Sequence, residues 1–96
     1  MNPEILARLA GFGIQLVGEA QGVSLLVRDE CIALAQGGTF GSSGIMTESG
    51  LAYLVWRDGC PWLVSKGSET AAAPEQVEII RRFSADLKKA FDTAVP

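Results

Sequence analysis

Asp58-Gly59, set between the apolar runs Leu51–Trp56 and Pro61–Ser65, constrains the fold more than any other feature of this chain. A two-residue connection between antiparallel strands needs positive φ at both central positions, and Asp-Gly is among the pairs that supply it. The resulting hairpin sets Arg57 opposite Cys60, Val55 opposite Trp62 and Leu54 opposite Leu63. With the register set, alternate side chains sort onto two faces. Leu51, Tyr53, Val55, Trp62 and Val64 share one, and Ala52, Leu54, Trp56 and Leu63 share the other.

The period of two extends toward the N-terminus. Ile14–Glu19 and Val23–Arg28 read as strands joined through Gln21-Gly22, and Cys31–Ala35 reads as a third strand after a polar corner at Asp29-Glu30. Residues 36–50, QGGTFGSSGIMTESG, read as a long connection rich in Gly, Ser and Thr, with room for a short strand at Ile45-Met46. Helical spacing takes over at both ends of the chain. Asn2 and Pro3 open a short helix with Ile5, Leu6, Leu9 and Phe12 on one side, stopped by Gly11 and Gly13. Pro74 opens a longer one, in which Val77, Ile79, Ile80, Phe83, Leu87, Ala90 and Phe91 form an apolar arc opposite Glu78, Arg81, Arg82, Lys88, Lys89 and Asp92. The expected fold is α+β in a single domain spanning 1–96. It comprises a short N-terminal helix, an antiparallel sheet of about five strands in a meander, and a long C-terminal amphipathic helix packed on the sheet.

Composition narrows the function classes. Of the 96 residues 48% are apolar and 20% charged, which is a folding composition and not a disordered one. The net charge of −3 argues against nucleic-acid binding. The nearest basic cluster, Arg81, Arg82, Lys88 and Lys89, is interleaved with Glu78, Asp86 and Asp92 and reads as a solvated helix face. No segment approaches the roughly 20 apolar residues that cross a bilayer, and Glu4 and Arg8 interrupt the N-terminus where a secretory signal would be apolar. The expected compartment is the cytoplasm, where Cys31 and Cys60 stay reduced.

The chain has no histidine. That removes Ser–His and Cys–His nucleophile pairs and, with two isolated cysteines, a standard structural zinc site. Gly41-Ser42-Ser43-Gly44 lacks the spacing of a nucleophile elbow, and the glycines at 37, 38, 41 and 44 lack the helix behind them that a phosphate cradle needs. Asp29, Glu30 and Asp58 are explained as turn residues, and Glu48 has no identifiable partner. Neither a catalytic constellation nor a cofactor or metal is expected.

From Cys31 to Lys66 the only charged residues are Glu48, Arg57, Asp58 and Lys66, and Leu51–Trp56 is apolar at every position. A strand with one wet face would alternate. Either helices cover both faces of the sheet, or one face is left for a partner, or a small ligand sits between sheet and helices under residues 36–50 as a lid. The favoured expectation is a non-catalytic protein–protein interaction module that self-associates as a homodimer. Leu54, Trp56 and Leu63 are its expected contacts, and the more strongly apolar Tyr53, Val55, Trp62 and Val64 its expected core. A small-molecule sensor or carrier is the alternative. The order of a leading amphipathic helix, a meander and a closing helix in a short acidic chain also resembles that of small secretion chaperones, which implies a small adaptor for another protein. The helix such chaperones place between strands has no counterpart in the sequence.

Overall fold

The change of period along the chain becomes a change of element in the computed structural model, which describes residues 2–37, 39–48 and 50–92. Helix α1 (Pro3–Gly11) is followed by strands β1 (Gln15–Ala20), β2 (Val23–Arg28), β3 (Cys31–Gln36), β4 (Thr39–Thr47), β5 (Gly50–Arg57), β6 (Cys60–Ser65) and β7 (Ser68–Ala71), then helix α2 (Pro74–Phe91). The Asn2 side chain accepts a hydrogen bond from the Glu4 backbone N–H at 2.7 Å, so α1 begins where its cap stands. At the start of α2 the Gln76 side chain accepts from the Ala73 N–H at 2.8 Å.

The strands form one antiparallel sheet in sequential order, β1 to β7. Asp58 and Gly59 adopt φ of 51° and 77°, as the tight turn demands. The register across it pairs Arg57 with Cys60, Val55 with Trp62 and Leu54 with Leu63, as the sequence predicts. Gln21 and Gly22, at 54° and 80°, make the equivalent turn between β1 and β2.

The sheet has seven strands where about five are expected, because β4 and β7 lie in segments that read as connections. Most of residues 36–50 is therefore not the long connection expected there, and it includes the nine-residue strand β4 in the middle of the sheet. Gly and Ser are poor strand formers by propensity, but here tertiary contacts demand small side chains. A Cβ at Gly44 would run into the carbonyl oxygen of Ala52 on β5, and Ser43 Oγ lies 2.5 Å from Ser84 Oγ of α2 in a hydrogen bond.

Both helices pack on the same face. Ile5 and Leu9 of α1 and Ile80, Phe83, Leu87, Ala90 and Phe91 of α2 share one buried cluster with Leu26, Cys31, Ala33, Ala35, Ile45, Ala52 and Leu63. Alanines and Ser43 on the strands leave a shallow bed into which Phe83 and Leu87, both fully buried, settle. Arg28 fastens the rim of this layer. Its guanidinium meets the Asp86 carboxylate at 2.6 Å, donates to the Phe12 carbonyl at 3.0 Å and lies 5.5 Å from the centre of the Phe83 ring.

Gly44→Ala is expected to destabilise the chain by about 1–3 kcal/mol, the usual cost of overpacking, as a lowered urea midpoint. An unchanged midpoint would mean that β4 and β5 approach less closely than described.

Candidate functional site

The register places a second set of side chains on the side away from the helices. One row crosses all seven strands as Gln15, Val27, Ile32, Gly44, Tyr53, Val64 and Glu69. On either side of it lie Leu25 paired with Leu34, Met46 with Leu51, and Val55 with Trp62. None of these residues belongs to the helix-covered cluster or packs against it. Ile32 is buried within the sheet surface itself, at 8%, whereas Leu34 and Met46 stand 41% and 51% exposed. The result is an apolar face spread over β2 to β6 that no helix of the described residues covers.

This arrangement interchanges the two faces relative to the sequence expectation. Leu63 is 4% exposed in the core, and Leu54 is half-buried with its packing against that core. Trp56 shares their side of the sheet, but at the hairpin end it is 57% exposed. Tyr53, Val55, Trp62 and Val64, expected inside, are instead half-buried on the open face. The reason is steric. A helix approaches a sheet closely over small residues, and the small residues sit at alternate positions on the other side: Ala33, Ala35, Ser43 and Ala52. That alternation was the signal in the sequence that could have oriented the sheet. Side-chain volume alone pointed the wrong way.

Arg57 and Glu69 are the charged side chains that strand positions place on this face. They form a two-pronged pair, with guanidinium nitrogens 2.6 and 2.7 Å from the two carboxylate oxygens. The hydrogen bonds and charge of Arg57 hold the Glu69 carboxyl below its ordinary range, and Glu69 raises Arg57 further. Both groups are well exposed, so the pair adds little stability. Its effect on the face is neutralisation.

The groups with chemical potential lie apart. Cys31 is buried on the helix side, its thiol 3.7 Å from the Ile79 carbonyl. Burial pushes that thiol up, with Arg28 partly opposing the rise. Cys60 is exposed at the β5–β6 turn, in the register positions of the open face, and Glu48 is exposed in the β4–β5 turn. Among the described residues no three acidic or thiol side chains gather as a metal site. A groove of about 760 Å³ runs between the β2–β3 turn and α2, lined by Arg28, Asp29, Glu30, Arg82, Asp86 and Lys89 among others. Its two guanidinium groups are already engaged, Arg28 by Asp86 and Arg82 by Glu78. No helix of the described residues is long and apolar enough to cross a membrane.

Comparison with known protein families, with curated proteins and with solved structures finds no match. No helix interrupts the succession of described strands, so the likeness to small secretion chaperones stops at shape and charge.

In a Cys60→Ser chain, the remaining Cys31 thiol is expected to react with a disulfide reagent only as fast as the protein unfolds, and at once in denaturant. Rapid reaction of the native variant would contradict the burial of Cys31 beneath α2.

Proposed function

We propose that this chain is a non-catalytic protein-interaction module whose working surface is the open face of the sheet. The observation that supports the reading is the uncovered set Leu25, Leu34, Met46, Tyr53, Val55 and Trp62, contiguous across five strands while both helices lie on the other side. Exposed apolar surface of this kind marks association sites, and Trp and Tyr, here Trp62 on β6 and Tyr53 on β5, are residue types that dominate binding energy. Trp56, exposed on the helix side, stands outside that surface. The groove beside α2 pairs its guanidinium groups with Asp86 and Glu78 and has Lys89 on its lining, while β4 is committed to the sheet.

A photo-crosslinking benzophenone side chain in place of Tyr53 is expected to yield covalent protein adducts in the expressing cell. The same group in place of Arg81, on the outer arc of α2, should yield few. Equal yields at the two positions, or none at 53, would remove the sheet face as the working surface.

A further inference from the structure

Resting on that reading, we infer that the occupant of the open face is a second copy of this chain, packed sheet to sheet about a two-fold axis. Four observations converge on this occupant.

The first is charge. In a two-fold interface the same patch appears on both sides, so any net charge on it would meet itself. On the described strands this face carries only the internally neutralised Arg57–Glu69 pair. A face without net charge also offers no sign by which an acidic or basic partner could be selected. The strand charges Glu19, Arg28, Arg57 and Glu69 cancel, α1 is neutral and α2 carries a net +1, so the chain's overall −3 comes from the turn residues and Asp92.

The second is shape. Sheets twist with one hand, and two sheets pack face to face at about −30° when their twists match. A copy of the same sheet matches by construction. The third is size. The five strands β2 to β6 that carry the apolar face, at roughly 4.8 Å spacing and with about six residues at roughly 3.3 Å rise, give a flat footprint of about 480 Å². Side-chain relief raises the accessible area above that, toward the roughly 600 Å² each partner buries at the lower end of specific interfaces.

The fourth is the state of the sheet edges, which disfavours the other way for two sheets to join. Strand β1 is broken by a register shift between Leu16 and Gly18, and β7 is only four residues long. Bulges and short edge strands both block edge-to-edge pairing. Association therefore falls to the face, giving a four-layer particle with helices outside and two sheets within.

The test is the solution mass of the full chain by light scattering behind size exclusion, over a range of concentrations. Twice the 10.2 kDa chain mass is expected. Trp62→Glu on β6 and Leu25→Glu on β2 probe opposite sides of the face. Each should weaken the dimer at least roughly thirty-fold, the effect of losing one binding hot spot, with a folded circular dichroism spectrum. Trp56→Glu, on the helix side, should leave the mass unchanged. If one variant does not fold, the other decides. A monomer at every concentration would overturn the second copy as occupant while leaving the face open to a different protein. A dimer that survives both face substitutions, or that Trp56→Glu alone dissolves, would overturn the face assignment and the proposed function together.

Discussion

The close seating of α2 on a bed of small side chains is the contact on which the rest of this structure depends. Ala33, Ala35, Ser43 and Ala52 leave room for Phe83 and Leu87 to become fully buried, and burying such side chains contributes roughly 1.5–3 kcal/mol each. Close contacts on both sides account for a central strand rich in Gly and Ser, Ser43 meeting α2 and Gly44, on the open side, lying against β5. Glycine and serine in β4 give up local preference so that β5 and α2 can come near. Arg28 then joins α1, the sheet and α2 at one corner, through Phe12, Asp86 and the face of Phe83.

Once both helices occupy one face, the other follows by subtraction. A sheet offers two surfaces, and the described helices cover one of them. Large apolar side chains that could not fit beneath a helix are directed outward, where they form a wide, flat, uncharged surface. The physical tension is plain: burial of apolar area is the main favourable term in folding and association alike, and here a large share of it is left unspent by the single chain. That imbalance, more than any one residue, supports reading the molecule as a binding module.

How far this was legible in the sequence varied with the range of the interactions responsible. The turn at Asp58-Gly59, the register it imposes, the Asn2 cap and the Pro74 start were readable because each rests on the backbone preferences of one or two residues. Strand β4 was not, since its glycines are required by neighbours far along the chain and not by their own conformation. Strand β7 was missed for a related reason. Four polar and small residues pair with β6 simply because the turn at Gly67 folds them back.

The candidate surface shows the same division. That the hairpin separates Tyr53, Val55, Trp62 and Val64 from Ala52, Leu54 and Leu63 follows from alternation along a strand, a property of the chain alone. Which set faces the helices does not follow, because alternation is symmetric between the two sides. Steric fit broke the symmetry: the helix goes where Ala33, Ala35, Ser43 and Ala52 let it approach, and the bulky set is left outside. The sequence by itself thus determined both helices, five of the strands, the tight turns and the partition of side chains into two faces, all of them local. Only the tertiary structure decided which face became the core and which became the surface offered to a partner, because that choice depends on how a helix more than thirty positions from Ala33 and Ala35 fills the space above the sheet.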